Sequence, residues 1–250
     1  MTGAAPFQNR RTDADASSSA LQLLRECSGP ADANGYVALQ TTPYRGHHLL
    51  AEAVLAATEP GDRVLEGGVS SGYFAELLVC AGRRVDGIEL DPVAADRANR
   101  VCERVWVGDL QQIDVEELDG PYDLLLFGDT LEHVPDPVTV LRALATRLRP
   151  DGTLVVSIPN VANWAIRLGL LAGRFRYTDR GILDRTHLRF YTRRTVVEML
   201  EQSGFTVDEV VGTIPVPLLH AEPLCRIAHR VGNLRPSLFA YTFVVTAHLA

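Results

Sequence analysis

From about residue 44 onward, short runs of consecutive apolar residues take turns with longer amphipathic stretches. The runs at 63–66, 84–89, 105–107, 123–127 and 153–158 predict strands, and 123–127 (Asp-Leu-Leu-Leu-Phe) is apolar enough to predict burial on both sheet faces. Between them, 44–58 and 73–81 have helical patterns, the first ended by Pro60-Gly61. A helix at 91–98 starts from Asp91 as N-cap, and Asp136-Pro137 supplies a cap followed by proline at the first helical position. The helix it opens carries Leu141, Leu144 and Leu148 on one face and is expected to stop at Pro150-Asp151-Gly152. Strands and helices alternating at this spacing predict an α/β protein with a doubly wound, mostly parallel sheet.

The last third departs from strict alternation. Residues 160–173 read as a helix, 174–191 as an arginine-rich loop, and 192–203 as a helix ended by Gly204. Then come a strand at 207–211, a helix at 218–231 and a long final strand at 239–248. Residues 1–20 are polar, rich in Ala, Ser and Asp and without a period, which predicts a disordered tail ahead of a single domain over 21–250.

Composition narrows the class. With 250 residues, 46% hydrophobic and 22% charged, the chain has the profile of one soluble globular domain. Its net charge of −7 argues against non-specific nucleic-acid binding, which needs a basic surface. Every basic residue is arginine. The four cysteines (Cys27, Cys80, Cys102, Cys225) are scattered, which predicts reduced thiols in a cytoplasm. The N-terminus has no apolar signal region, and no apolar run reaches the roughly 18–20 residues of a membrane span, so a cytoplasmic protein without stable membrane insertion is expected.

Chemistry gathers at the predicted strand ends, where ligands of open α/β sheets bind. The turn after the first strand, Glu66-Gly67-Gly68-Val69-Ser70-Ser71-Gly72, is built of small residues that let backbone amides approach a ligand. It does not fit GxGxxG: counted from Gly68, Ser70 and Tyr73 stand where glycines belong, which weighs against a nicotinamide cofactor. An ordinary strand-to-helix turn is the plain alternative. Glu89, ending the second strand, is placed to accept from vicinal ribose hydroxyls, or is a solvated strand end; Asp91 is a helix cap. Asp109, ending the third, is placed to accept from an adenine amine while Leu110 packs on the ring. Three successive strand ends of the expected type weigh more than any one.

These residues, together with Gly108-Asp109, resemble the nucleoside-binding motifs of class I S-adenosylmethionine-dependent methyltransferases. The run Phe127-Gly128-Asp129-Thr130-Leu131-Glu132-His133-Val134-Pro135-Asp136-Pro137 is similar to the fourth-strand motif of the ubiquinone/menaquinone-type branch, and 148–154 to the family's lead into strand five. The resemblance implies a seven-stranded Rossmann-like sheet with its last strand antiparallel and a helical and loop lid, about 160–194, after strand five. It implies S-adenosyl-L-methionine as cofactor, bound by Glu66, Gly67, Gly68, Ser70, Gly72, Glu89, Leu90, Asp109, Leu110 and Gly128. Arg45 is a further candidate, for the cofactor carboxylate. Two departures stand out: Ser70 replaces the central glycine, and Gly67 replaces an aliphatic residue, which would slacken the turn.

On the acceptor side, a hydroxyl needs a base. His133 follows the fourth strand, and His187 has Asp184 three residues away to orient it; each is equally readable as a structural hydrogen-bonder. Asp129, Glu132 and His133 share a helical face with the spacing of divalent-cation ligands, but Glu132 as a cap and His133 near the acceptor is the favoured reading, and no metal is assigned. Residues 167–194 hold eight arginines against two aspartates. With Trp164, Leu168, Leu170 and Leu171 they suit a lid over the acceptor, with Asp184, Arg185, Arg189 and Trp164 as contacts to an anionic or sugar-bearing group. A membrane-surface helix and a merely solvated arginine face are the rivals. The expectation is methyl transfer to a small-molecule hydroxyl of a natural product, sugar or quinone-like intermediate. An amine acceptor, a catalytically silent cofactor-binding partner protein and a nicotinamide-dependent oxidoreductase are the alternatives, and a homodimer stays open.

Overall fold

A computed structural model of the chain describes residues 13–27, 39–215 and 222–250. Seven strands form one sheet: β1 (Arg63–Gly67), β2 (Arg84–Glu89), β3 (Arg104–Val107), β4 (Tyr122–Gly128), β5 (Leu148–Pro159), β6 (Phe205–Gly212) and β7 (Thr242–Leu249). Their order is β3-β2-β1-β4-β5-β7-β6. β7 runs antiparallel to both β5 and β6, and every other pairing is parallel. The final strand therefore has the expected direction. Strand order reverses between β1 and β4, and the crevice beyond their carboxyl ends is where an open α/β sheet binds its ligand.

Alternate residues of the central strands feed two cores. Leu65, Ile88, Leu125, Phe127 and Leu154 point to one face, where α5 (Pro137–Ala145) and α7 (Arg193–Gln202) cover them with Val140, Leu141, Leu144, Val196 and Leu200. Val64, Val85, Leu124, Leu126 and Val155 point to the other face, under α2 (Gly46–Ala57) and α3 (Tyr73–Cys80). Burial on both sides explains why these strands read as continuous apolar runs. Local signals hold at the caps as well. Asp91 accepts from Val93 N at the start of α4 (Pro92–Ala98), Asp136 from Thr139 N, and Thr192 and Thr195 close a reciprocal capping box.

Several expectations need correction. The stretch 1–20 is not uniformly without structure: α1 (Asp13–Cys27) occupies its second half, and Ala20 and Leu24 are fully buried in the α2–α3 core. Its first turns are Asp, Ala and Ser, so no period shows until Leu21; tertiary packing supplies the rest. Residues 1–12 lie outside the described part. Pro150-Asp151-Gly152 do not end a helix. α5 stops at Ala145, and the triplet lies in the first half of β5, beside a register shift opposite Tyr122 and Leu124. Leu148 is thus a strand residue. The helix expected at 160–173 is shorter, α6 (Trp164–Leu171), because Asn160 and Asn163 spend their amides on the Ala240 carbonyl and Asn163 caps the helix at Ala165 N. Of the predicted 218–231 helix, 218–221 lie outside the described residues, and α8 (Glu222–Gly232) carries the rest. Phe239 belongs to a short α9 (Pro236–Phe239), not to β7.

Gly67 does not slacken the turn. A Cβ there would lie 2.8 Å from Phe127 Cδ1, so the ring fills the volume an aliphatic side chain would take. Gly67→Ala is therefore expected to destabilise the fold by about 1–3 kcal/mol through overpacking. Denaturant unfolding checks this, and Phe127→Leu in the same chain should recover part of the loss. Full stability in the single variant would show that the ring moves aside freely.

Candidate active site

The turn after β1 takes a backbone route that few side chains tolerate. Gly68 has φ +77 and Ser70 φ +53, so a non-glycine residue is held in the left-handed region in this turn. The strain is offset by a hydrogen bond: Ser70 N donates to Glu89 Oε2 at 2.7 Å. Glu89 Oε1 accepts from Asp91 N at 2.9 Å. Two amides thus fix the carboxylate at the end of β2, with lone pairs left on both oxygens. Asp109 caps the turn after β3 through Gln111 N, at 2.9 Å. Leu90 is 69% exposed, an apolar side chain standing open beside Glu89, whereas Leu110 leans on the core. Gly128 ends β4 with Leu50 beneath it. The cofactor candidates at the ends of β1, β2, β3 and β4 line one edge of the sheet. Arg45 is the N-cap residue of α2.

Beneath the loop sits Glu66, buried, with Oε2 lacking any hydrogen-bond partner. Burial, aided by the charge of Glu89, pushes its carboxyl up to about 8. Tyr73 is raised by burial and by Glu66 and Asp129. His47 packs on Tyr73 at 5.5 Å between ring centroids, accepts from Gln40 N through Nδ1, and is pushed down to about 4 by burial. Sequence reading did not single out Tyr73 and His47, which lie in helix patterns with nothing to mark their packing on each other.

The acceptor candidates begin where β4 gives way to Asp129 (φ +49) and a 3-10 turn over Leu131–His133. Asp129 N donates to Ser157 Oγ, and Ser157 Oγ donates back to Asp129 Oδ1 at 3.0 Å. The Asp129 side chain is reachable by solvent, yet enough protein surrounds it to raise its carboxyl, with Ser157 and His133 pulling the other way. Thr130 Oγ1 donates to Gly67 O at 3.1 Å and lies where a Gly68 Cβ would go, tying the ends of β4 and β1 together.

Glu132 is 1% exposed, and neither carboxyl oxygen has a hydrogen-bond partner. Burial, Asp129 and Asp184 push its carboxyl well above the usual range. The lid folds onto this residue: Leu188 N and Arg189 N both donate to Glu132 O, at 2.9 and 3.1 Å. His187 Nε2 thereby comes to 3.8 Å from Glu132 Oε1, and the His133 and His187 rings meet edge to face at 4.8 Å. Each histidine lies 3.1 Å through Nδ1 from a backbone carbonyl, Thr186 for His133 and Ile182 for His187. A carbonyl only accepts, so Nδ1 carries the proton and Nε2 is the free lone pair in each neutral ring. Burial, with His133 nearby, lowers the pKa of His187.

The remaining substrate candidates divide. Asp184 does not orient His187: its Oδ1 accepts from Thr186 N and Thr186 Oγ1, capping the turn, and Ile182 holds the imidazole instead. The three-residue spacing was right for proximity and wrong for partner. Arg189 binds the Pro135 carbonyl and so ties the lid to the β4 turn. Arg185 pairs with exposed Asp179 at 2.6 Å. Trp164 stands half-exposed at the first position of α6. The trio weighed in the sequence as cation ligands, though no metal was assigned to it, also changes membership. Asp129 turns to Ser157, while potential ligand atoms of Glu132, His133 and His187 lie within 4.8 Å of one another.

A glycine-rich turn and acids on adjacent strand ends of a doubly wound sheet define a Rossmann-like protein with its ligand crevice at those strand ends. The comparisons carry this one step further. The chain belongs to the methyltransferase-domain family, whose model, described as "Methyltransferase domain", matches residues 34–210. It is similar to the ubiquinone biosynthesis O-methyltransferase of Aeromonas salmonicida (strain A449), 30% identical over 166 residues that span 63% of this chain and 68% of the relative. The protein of that name from Acinetobacter baumannii (strain AYE) is 28% identical over 190 residues, 73% of this chain and 77% of the relative. Among solved structures, magnesium protoporphyrin IX methyltransferase from Synechocystis PCC 6803, with bound SAH, matches with a TM-score of 0.57 at 18% identity, over 94% of this chain and 96% of that one. A SAM-dependent methyltransferase from Archaeoglobus fulgidus matches with a TM-score of 0.56 at 18% identity, over 78% and 89%. The protein is an S-adenosylmethionine-dependent methyltransferase. No helix among the described residues is long and apolar enough to cross a membrane.

Glu66 generates a pH prediction for the ligand-free protein. Its folded pKa, about 8, is above the ordinary 4.5, so the protonated form is favoured by folding. The stability this brings is intact below the ordinary value and lost as pH rises through the folded one. Glu66→Gln cannot ionise, so its melting temperature should exceed that of the parent by a margin that is small at pH about 5 and largest at pH about 8.5. A margin equal at both pH values would place the origin of the effect elsewhere.

Proposed function

We propose that the protein transfers the methyl group of S-adenosyl-L-methionine to a hydroxyl of a small aromatic, quinone-type acceptor, with His133 as general base. The observation that carries this is the pair of imidazoles at the end of β4, each with Nδ1 engaged by a carbonyl and Nε2 left free. Transfer from a sulfonium is an in-line displacement in which the protein holds the nucleophile about 3–3.5 Å from the methyl carbon and excludes water. The cofactor supplies the activated leaving group, and an acceptor hydroxyl must still lose its proton. His133 is exposed to the cleft, while His187 is held against Glu132 behind it, which makes His133 the proton acceptor and His187 its support. The names of the curated relatives support a hydroxyl acceptor of quinone type.

In this reading Glu89 holds the ribose, Asp109 the adenine amine with Leu90 and Leu110 about the ring, and the Gly67, Gly68, Ser70 and Gly72 turn over Glu66 faces the methionine portion near Gly128. Arg45 is assigned to the cofactor carboxylate. The lid contributes Trp164 and Arg185 to the acceptor, while Asp184 and Arg189 hold its shape. A second reading, a divalent cation on Glu132, His133 and His187, is favoured by the two partnerless Glu132 oxygens beside two imidazoles.

Saturating S-adenosylhomocysteine at about 100 Kd is expected to raise the melting temperature by about 5–10 °C, and NAD(P) not at all. A shift with NAD(P) alone would overturn the cofactor assignments. Turnover with mono- and dihydroxylated aromatic acceptors tests the rest. His133→Ala should lower kcat by about 10²–10⁴ with cofactor affinity unchanged. Activity that survives chelation by EDTA supports His133 as the base; activity lost to EDTA and restored by a divalent cation supports the second reading.

A further inference from the structure

The surface around α8 plays no part in the site just described. One side of this helix is anchored: Cys225 and Gly232 are buried, and His229 stacks on Tyr44 at 4.8 Å between centroids. Asn233, just beyond the helix, exchanges both side-chain groups with the backbone of Gly212 at 2.8 and 2.9 Å. The other side carries Leu224, Ile227 and Val231 at helical spacing, followed by Leu234, and these are 49%, 58%, 59% and 80% exposed. Arg226, Arg230 and Arg235 are exposed along the same helix and the turn after it, and none forms an ion pair with a residue whose side chain is described. In a chain of net charge −7, this is a local concentration of positive charge beside an aliphatic stripe.

The surface continues onto a second helix. Arg167 of α6 reaches the Ser237 carbonyl, and Asn163 reaches those of Phe239 and Ala240, so α6 adjoins the segment that follows α8. α6 has no buried residue. From its end, an aromatic series leads inward. Tyr177 and Phe175, both exposed, meet at 5.5 Å, Phe175 meets Phe190 at 5.8 Å, Phe190 meets His187 at 6.2 Å, and His187 meets His133.

We propose that α8, with α6 beside it, docks the protein on the surface of an anionic lipid bilayer. Leu224, Ile227, Val231 and Leu234 enter the boundary between headgroups and acyl chains, while the arginines bind lipid phosphates. Charge selects this occupant. A second copy meeting the same face about a two-fold axis would set arginine against arginine, and a nucleic acid would leave the aliphatic stripe in water. An aliphatic stripe flanked by guanidinium groups matches a surface that is apolar below and anionic above. The aromatic series then runs from the lipid-facing side to the imidazole pair, a route for an apolar acceptor; the docking itself does not depend on the acceptor's identity.

Co-sedimentation of the full chain with vesicles tests the proposal, using phosphatidylcholine alone against phosphatidylcholine containing phosphatidylglycerol. Binding to the anionic vesicles, weakened by salt and nearly absent with neutral ones, is expected. Each basic residue at an anionic surface is worth about a factor of five, so Arg226→Gln with Arg230→Gln should weaken binding about thirtyfold. Ile227→Glu should also release the protein, with the melting temperature and its shift by S-adenosylhomocysteine unchanged in both variants. No binding to either vesicle would overturn the proposal. So would binding that survives these substitutions, or sedimentation as a dimer that Ile227→Glu dissociates.

Discussion

The end of β1 and the end of β4 lie so close that no side chain fits between them, and the site depends on that approach. Phe127 occupies the space above Gly67, and Thr130 the space above Gly68. The Thr130 hydroxyl then bonds the Gly67 carbonyl, joining the two strand ends at the point where strand order reverses. Beside that junction the turn after β1 runs through left-handed backbone at Gly68 and Ser70, and the Ser70 amide meets Glu89. The first residue after β4, Asp129, lies in that region too. The turn after β1 and the turn after β4 therefore share one corner.

That corner concentrates acidity away from water. Glu66 and Glu132 are both buried, each with carboxyl oxygen lacking a partner, and burial is the largest cause of each raised pKa. Groups of this kind cost stability in the empty protein, and such costs are characteristic of functional sites. The lid acts on the same corner from outside. Its backbone amides hold the Glu132 carbonyl, Arg189 holds the Pro135 carbonyl, and together they bring His187 up to His133. Of the arginine-rich segment, Arg189 thus serves to hold 182–189 against the β4 turn, while α8 keeps its aliphatic side exposed.

The strands and most helix starts were legible because their signals are local. Leu124, Leu125 and Leu126 are buried whichever face they point to, and Asp91, Asp136 and Thr192 cap through atoms within a few residues. α1 was not legible. Its helix shows no period in the first turns, and what holds Ala20 and Leu24 is a surface formed by residues far along the chain. Pro150-Asp151-Gly152 looked like punctuation, yet pairing with β4 on either side of it, at Leu148 and again from Thr153, carries a strand through that region.

By itself, the sequence determined the doubly wound sheet, the glycine-rich turn and the acids at the ends of β2 and β3, since each follows from residue type and position within one element. Only the tertiary structure decided which side chains face one another. It paired His187 with Glu132, which lie 55 positions apart, and gave Asp184 to Thr186. It replaced the aliphatic residue missing at position 67 with the ring of Phe127, and it left the aliphatic side of α8 in solvent. Spacing along the chain limits which groups can meet, but a buried charge or ring is given its partner by packing between elements distant in sequence, where local pattern carries no information.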